Sequence, residues 1–372
     1  MRLLDLVHRW TGGLIGLLLA VIGLTGTLLV HKEAWLRFTL PHAADPQIQD
    51  SATVAATATR LFADPSDRPT SILFATEGFG LNRMSYGGDV GAYADQAGNI
   101  VMRWTSIWER PEVWLFDVHH HLLMGETGDV IGGILGLIGI GFVVTGVILW
   151  WRTRRKFEFR LWPKRLSRAA IICHHRDLGI VVAPLLFVSM LTGAMMTLRP
   201  VATLLLSPFS SSAAMVAATT PPAATGGPLG RIDWRGLLDE VRVRYPSAEI
   251  RMVALSSKPG GLITLRARQP EEWLPNGRTT FWFDPADGRL VEHRDALAMP
   301  RGSRLFNLAY PVHAAKVGGL TYKIAMTISG IGLALLGSLA MITFWSSRRA
   351  HRQRRLRPRL AARSSATHAD WF

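Results

Sequence analysis

The chain has 372 residues, a formal net charge of +15 and 48% hydrophobic residues, so it is too long for one ordinary domain. Its single cysteine, Cys173, excludes an internal disulfide framework, a CxxCH haem attachment and a cysteine-rich zinc or iron–sulfur site. The basic residues collect beside apolar stretches, which favours a lipid bilayer over a nucleic acid as the partner of this charge.

The first apolar stretch is Thr11–Val30, and the sequence VHRW with His8 precedes it. A helix of this length can cross a hydrocarbon core of about 30 Å. Arg2 and Arg9 stand in front of it, as in a signal peptide. The same motif recurs in mid-chain, where no signal peptide can lie, so we expect a retained membrane helix.

The polar residues 31–118 indicate a small extramembrane α+β domain. A turn-forming DQAG sequence at 95–98 precedes the last of three short runs with strand character. We expect a helix over Ser51–Ala63 and strands near Ser71–Ala75, Leu81–Tyr86 and Ile100–Trp104.

The second span, Val130–Trp151, follows VHHHLLMGETG and contains no charged residue over 22 positions. Trp150 and Trp151 are typical of an anchor at the membrane interface. The loop from there to Arg168 carries eight basic residues, which places it in the cytoplasm by the positive-inside rule.

The third span, Leu178–Leu198, contains Pro184, and neighbouring helices can satisfy the carbonyl that a proline leaves free. Ser207–Gly230 has the composition of a linker. The pattern of the residues that follow indicates a second α+β domain. Its predicted elements are a helix over Ile232–Tyr245 and strands over Ile250–Leu255, Leu262–Arg268, Thr279–Phe283 and Leu290–Glu292.

A fourth span, Ile324–Trp345, leads into an arginine-rich tail that we expect to be disordered.

An internal repeat relates the two halves of the chain. His8-Arg9 and His175-Arg176 each precede an apolar run, and each run reaches Leu-Thr-Gly with its threonine 17 residues after the histidine, at Thr25 and Thr192. The second and fourth spans match more loosely through VHHHLLMGETG and VHAAKVGG. We therefore expect a duplicated four-helix bundle with approximate two-fold symmetry.

The histidines at the span ends are candidate iron ligands. His8 and His175 precede spans one and three, and His121 and His313 precede spans two and four. In an antiparallel four-helix bundle each of these pairs is diagonal, so each could clamp one haem with two imidazoles. Without a CxxCH motif such haems are b-type, and a bis-imidazole iron passes electrons rather than binding oxygen.

Other histidines compete for the same role. His119 points away from His121 on a helix, so only one of them can face a given iron. His31 directly follows the first span, and His174 competes with His175. We expect the loop and tail residues His42, His293, His351 and His368 to be solvated.

The motifs HRWTGGLIGLLLAVIGLTGTLLV, VHHHLLMGETG, HHRDLG and VHAAKVGG resemble the PepSY-associated transmembrane proteins. Residues 232–292 are similar to a PepSY domain, and residues 51–104 to a more divergent copy. Within that family, the chain resembles the FoxB-type ferrisiderophore reductases of the bacterial inner membrane. This resemblance implies two b-type haems and reduction of a ferric siderophore in the periplasm, with a cytoplasmic or membrane electron donor outside this chain.

Two other functions remain open at this point. One is a non-redox PepSY module that binds a partner or regulates a protease. The other is a transporter, although the spans lack the charged residues that ion coupling uses.

The expected fold is a membrane all-α four-helix bundle with two PepSY-like α+β domains outside it, in the inner membrane with both termini cytoplasmic. The expected segments are a first membrane helix at 1–31, a periplasmic domain at 32–117, a second helix at 118–151, a cytoplasmic loop at 152–173, a third helix at 174–199, a periplasmic linker and PepSY domain at 200–311, a fourth helix at 312–346 and a basic cytoplasmic tail at 347–372.

Overall fold

The computed structural model describes residues 2–160 and 162–369, without the side chains of residues 347 and 349–369. The tail histidines His351 and His368 therefore lie outside the described side chains, as do the tail arginines other than Arg348. The described residues form two units. A helical unit comprises residues 2–27, 134–191 and 324–369, and a sheet unit comprises residues 28–133 and 192–323.

Twelve α-helices and eight strands are found in the described chain. The helices are α1 Arg2–Val30, α2 Lys32–Thr39, α3 Ser51–Leu61, α4 Pro111–His121, α5 Glu126–Trp151, α6 Arg168–Thr197, α7 Arg199–Leu206, α8 Ser212–Ala217, α9 Trp234–Arg244, α10 Arg301–Asn307, α11 Ala309–His313 and α12 Gly319–Ala369. The strands are β1 Ser71–Leu73, β2 Asn82–Gly87, β3 Val90–Ala94, β4 Ile100–Trp104, β5 Glu249–Ala254, β6 Ile263–Arg268, β7 Thr279–Phe283 and β8 Leu290–Arg294.

Four of these helices, α1, α5, α6 and residues Gly319–Ser346 of α12, are long and apolar enough to cross a membrane. The protein is therefore a membrane protein with four candidate spans. After the last span, α12 continues to Ala369, where the sequence predicted a disordered tail. Arginine has a high helix propensity, which is consistent with a helix through these residues.

Small residues bring the helices of the helical unit into close contact. A Cβ atom on Gly16 of α1 would lie 2.6 Å from the carbonyl oxygen of Gly337 on α12. Gly139 of α5 packs against the Met190 side chain of α6, Gly332 of α12 packs against the Val182 side chain of α6, and Phe142 of α5 packs on His8 of α1. In lipid, close packing at such small residues is a main source of helix association. The cyclic order α1–α5–α6–α12 makes α1 diagonal to α6 and α5 diagonal to α12, as expected from the sequence.

The sheet unit contains one antiparallel sheet with the order β4-β3-β2-β1-β5-β6-β7-β8. The sequence predicted two separate extramembrane domains, but β1 pairs with β5 and joins the strands of both regions into this sheet. One core serves both halves, because α3 and α9 bury Ala58, Leu238 and Val241 together against Ile72 and Ile250.

The strand predictions agree closely with the structure except at β3, which the sequence analysis missed. β4 and β7 have the predicted bounds, and the DQAG turn closes with a hydrogen bond from Gly98 N–H to Asp95 O. β3 is short and contains Gly91, whose missing side chain leaves room for the ring of Trp104. The region predicted as a linker contains the short helix α8.

Arg251 connects the two halves of the sheet from within. Its side chain is buried, and its guanidinium donates hydrogen bonds to the carbonyl oxygens of Ala75 (2.8 Å) and Pro275 (3.0 Å). A smaller core packs α2 against β3 and β4 through Leu36, Leu40, Tyr93 and Trp104, with Val113 of α4 at its edge. This core positions α4, the helix that carries the histidine triplet.

We predict that Arg251→Leu lowers the stability of the sheet unit by about 1–3 kcal/mol, because it removes the hydrogen bond to the Pro275 carbonyl and one of the two hydrogen bonds to the Ala75 carbonyl, which keeps its bond from Gln47. Thermal unfolding of the detergent-solubilised protein measures this loss. The matched control is Arg235→Leu, which breaks only an exposed ion pair with Asp239 and should change stability by less than about 1 kcal/mol. Equal melting temperatures for the two variants would contradict the structural role of Arg251.

Candidate functional site: two histidine pairs and a histidine–aspartate cluster

The first histidine pair joins α1 to α6. The rings of His8 and His175 have centroids 6.3 Å apart and planes at 89°. The His8 ring also packs against Phe142 of α5, with the two ring centroids 5.1 Å apart. The structure therefore brings together the two histidines that the sequence repeat placed in equivalent positions.

A threonine of α5 faces His8. His8 Nδ1 lies 2.7 Å from Thr145 Oγ1, and Thr145 Oγ1 also lies 2.7 Å from the carbonyl oxygen of Gly141. In the tautomer whose Nδ1–H donates to Thr145, the lone pair of the imidazole is on Nε2. A metal-binding histidine is typically fixed in this way through its other nitrogen.

Glycines leave space beside this pair. A Cβ atom on Gly141 would meet no other atom within 4 Å, and one on Gly146 would lie 3.8 Å from His8 Cε1. The face of α5 next to His8 is therefore bare enough to admit a flat group against the helix.

The second histidine pair lies in the sheet unit. His119 is near the end of α4, His313 is the last residue of α11, and their ring centroids are 6.0 Å apart. His313 Nδ1 lies 3.2 Å from Thr192 Oγ1, so again a threonine hydroxyl faces the Nδ1 atom of a paired histidine. Gly193 leaves room for this ring, since a Cβ atom there would lie 3.2 Å from His313 Cε1.

Left-handed turns separate these histidines from the spans that follow them. Leu122, Leu123 and Gly125 have φ values of 50°, 59° and 56° between α4 and α5. Ala315 (φ 50°) and Gly318 (φ 70°) occupy the corresponding stretch between α11 and α12. Each non-glycine residue in this conformation costs roughly 1–2 kcal/mol. The sequence analysis had considered a continuous helix from His121 into span two, and the structure shows a break instead.

The break places His120, His121 and Asp129 together. His120 Nδ1 lies 2.7 Å and His121 Nε2 3.8 Å from Asp129 Oδ1, and His121 Nδ1 lies 2.7 Å from Asp117 Oδ1. Burial lowers the pKa of His120, and the Asp129 carboxylate partly offsets this effect. A neutral imidazole is the form that binds metal ions. Sequence reasoning missed this cluster because a continuous helix would not have brought Asp129 back to the histidines.

The structure thus pairs His313 with His119, a secondary candidate, whereas His121, the preferred candidate, faces Asp117 and Asp129. The remaining candidates have other positions. His174 is buried on α6 next to His175, and His31 precedes α2. Of the histidines expected to be solvated, His42 pairs with Asp45 at the surface and His293 stacks on Phe281.

The separation of each histidine pair fits a metal ion between the rings. An ion held at about 2 Å from one nitrogen of each imidazole separates the ring centres by about 6 Å. The observed distances are 6.3 Å and 6.0 Å. In both pairs a threonine faces the Nδ1 atom of one histidine, and Nε2 is then that ring's metal-binding nitrogen. The residues present therefore fit bis-imidazole ligation of an iron porphyrin.

Basic and aromatic side chains on one face of β6 and β7 have unused hydrogen-bond donors. Among the described residues, the buried Nε atoms of Arg266 and Arg278 and the indole nitrogen of Trp282 have no hydrogen-bond partner. Arg266 pairs with Thr280 across the strands, so all three side chains share one face of the sheet. Burial and the Arg278 guanidinium lower the pKa of Arg266 to about 10, which leaves it charged at neutral pH.

Residues 6–348 match the family described as PepSY-associated TM region, so the chain belongs to this family. It is similar to a Pseudomonas aeruginosa protein with the name "Uncharacterized protein PA4219". The two are 28% identical over 251 residues, which cover 63% of this chain. The matched part also covers 63% of the length of that relative.

We predict that Gly128→Ala destabilises the turn between α4 and α5. The new Cβ atom would overlap the carbonyl oxygen of His121, and overpacking of this kind costs about 1–3 kcal/mol. Gly132→Ala is the matched control on the same helix, because its Cβ atom would lie 3.7 Å from His120 O, an ordinary van der Waals distance. The melting temperature should fall for Gly128→Ala and not for Gly132→Ala, and an unchanged Gly128→Ala protein would contradict the geometry of the turn.

Proposed function

We propose that this protein is a di-haem, b-type electron-transfer protein of the bacterial inner membrane that reduces a ferric siderophore in the periplasm. The observation that carries this proposal is the pair of imidazole–imidazole separations, 6.3 Å and 6.0 Å, each fitting one iron between two rings. The similarity to FoxB-type ferrisiderophore reductases supports the choice of substrate class.

His8 and His175 would hold one haem, and His119 and His313 the other. Bound at these positions, the two haems would supply one-electron transfer from a cytoplasmic or membrane donor to the ferric chelate, without an open iron position for oxygen. Thr145 and Thr192 would keep Nε2 of His8 and of His313 turned to the iron. His119 thereby takes the role that the sequence analysis gave to His121.

The distribution of basic residues supports the proposed orientation. The loop between α5 and α6 and the tail after Trp345 are both arginine-rich, and such segments favour the cytoplasmic side. On this basis both termini are cytoplasmic, and the segments that carry the sheet are periplasmic. That is the compartment in which a ferric siderophore would meet the protein.

The face that carries Arg266 and Arg278 is a suitable docking surface for an acidic chelate. Two charged guanidinium groups with buried, unused donors favour an anion, since a charge-assisted hydrogen bond would satisfy each donor. Trp282 is buried, and the Arg294 guanidinium lies 4.9 Å from its ring centroid, so this residue supports the face from beneath. One electron added to the bound iron would weaken the chelate, because hard oxygen donors hold Fe(II) less firmly than Fe(III).

We predict that the purified protein, made with ample haem, shows a Soret band that shifts on dithionite reduction and a haem-to-protein ratio of two. His175→Ala and His119→Ala should each lower that ratio to one, because each removes one axial ligand. The pyridine haemochrome assay measures the ratio.

Neighbouring histidines provide the controls. His174→Ala and His121→Ala should keep both haems, since the rings that lie beside His8 and His313 are those of His175 and His119. A ratio that falls in His121→Ala and stays at two in His119→Ala would overturn the assignment of the second pair. Absence of haem from the wild-type protein would leave a non-redox PepSY module or a transporter as the better explanation.

We predict that an anionic ferric hydroxycarboxylate chelate reoxidises the dithionite-reduced protein after excess dithionite is removed, and that a ferrous chelator then traps Fe(II). In Arg266→Gln/Arg278→Gln the half-saturating concentration of this chelate should rise at least tenfold, because two charge-assisted contacts worth about 1.5–3 kcal/mol each are lost. Stopped-flow absorbance at the Soret band follows the reaction.

The control ligand is a neutral ferric trihydroxamate, whose half-saturating concentration should change little in the same variant. If neither chelate reoxidises the haem, the protein uses another electron acceptor. If the variant affects both chelates equally, Arg266 and Arg278 do not form an anion-specific docking surface.

A further inference from the structure

We propose that His120, His121 and Asp129 form a binding site for one divalent first-row transition-metal ion, distinct from the two histidine pairs. The donor atoms of these three residues all lie within 4.8 Å of one another. An ion placed among them at about 2.1 Å from each would need only small movements of the side chains.

Two of these donor atoms have no partner except each other among the described residues. His120 Nδ1 and Asp129 Oδ1 are buried and form a close ion-pair contact at 2.7 Å. Neither atom makes a hydrogen bond to any other described residue. Buried polar atoms of this kind are costly unless something binds them, and a cation between an imidazole and a carboxylate would satisfy both.

The surrounding residues hold both rings in position. His121 Nδ1 lies 2.7 Å from Asp117 Oδ1, so this nitrogen donates to the carboxylate and Nε2 faces Asp129. This arrangement is the carboxylate–histidine–metal triad common at metal sites. Phe116 stacks on His120 with its centroid 5.2 Å away and an interplanar angle of 14°, which limits rotation of that ring.

The backbone also favours the site. The left-handed residues after His121 fold the chain back, and Gly128 lets the His121 carbonyl approach α5 closely enough to bring Asp129 beside both rings. A pocket of about 140 Å³ lies beside the cluster and is lined by Asp89, Asp117 and His121. This volume holds a few waters at about 30 Å³ each, so water can reach the His121 side of the cluster.

The ligand set identifies the class of ion. Two imidazoles and one carboxylate favour Fe²⁺ or Zn²⁺, whereas Mg²⁺ and Ca²⁺ prefer all-oxygen sites. Three protein ligands also leave positions open for water. Reduction of a ferric chelate would supply Fe²⁺ at this side of the protein. The choice of Fe²⁺ over Zn²⁺ therefore rests on the proposed function.

The test uses Co²⁺ as a spectroscopic probe on the full-length, detergent-solubilised protein, purified without a polyhistidine tag. We expect one equivalent of Co²⁺ with visible d–d absorption. Asp129→Asn should weaken its affinity at least tenfold, and Asp117→Asn should weaken it 10- to 100-fold through loss of the supporting carboxylate. Asp45→Asn is the matched control, since Asp45 pairs with a single exposed histidine, His42, and the variant should bind Co²⁺ normally.

Haem content in the same samples separates this site from the histidine pairs. Asp129→Asn should retain the wild-type haem-to-protein ratio, and His119→Ala should retain Co²⁺ binding. Equal Co²⁺ affinity of the wild-type protein and Asp129→Asn would overturn the metal site. Haem-free protein that still binds Co²⁺ would support the metal site while contradicting the electron-transfer function.

Competition for bound Co²⁺ distinguishes a structural Zn²⁺ site from a transient Fe²⁺ site. Anaerobic Fe²⁺ and Zn²⁺ should each displace it, and Zn²⁺ that remains through purification identifies a structural ion. A protein purified without metal, which binds Fe²⁺ reversibly, identifies a transient site for ferrous iron. If neither ion displaces Co²⁺, the ligand set is wrong and the proposal fails.

Discussion

The functional geometry depends on holding two imidazole rings about 6 Å apart within a bundle that has little hydrophobic driving force for association. Lipid is as apolar as leucine, so membrane helices are fixed by close backbone packing and hydrogen bonds instead. In the helical unit, the contact of Gly16 with Gly337 joins α1 to α12, and Gly332 joins α12 to α6. These contacts determine the positions of the two helices that carry His8 and His175. A shift of either helix by one residue would turn its histidine about 100° away from the pair.

In the sheet unit the same requirement is met by different means. There the hydrophobic effect operates, and pairing of β1 with β5 makes one core from two distant parts of the chain. The second small core then fixes α4 on β3 and β4, which brings His119 to a defined position next to His313. Both partners of this pair thus belong to one unit, with His119 on α4 and His313 on α11.

Local patterns in the sequence predicted much of this arrangement. Apolar length identified the four spans, alternation identified most strands, and the repeat of His8 and His175 identified a pair that is in contact in the structure. Long-range features were not accessible in the same way. The pairing of β1 with β5 leaves no local signal, and β3 is a five-residue strand with Gly and Ala at three positions, which are poor β-formers. The buried donors of Arg266 and Arg278 also could not be selected, since nothing in a sequence distinguishes an arginine with satisfied donors from one without.

The choice between His119 and His121 shows where periodicity succeeds and where it fails. At 100° per residue, these two side chains lie 200° apart on α4, so the sequence correctly implied that they face different surroundings. It could not decide which one faces His313, because that depends on where the helix ends. The left-handed Leu122 and Leu123 end α4 directly after the triplet and return the chain toward it. As a result, Asp129 meets His120 and His121 on one side, while His119 is left to pair with His313 on the other. Three consecutive histidines therefore face two different surroundings, and the residues that separate them are the two leucines and Gly128 that follow them.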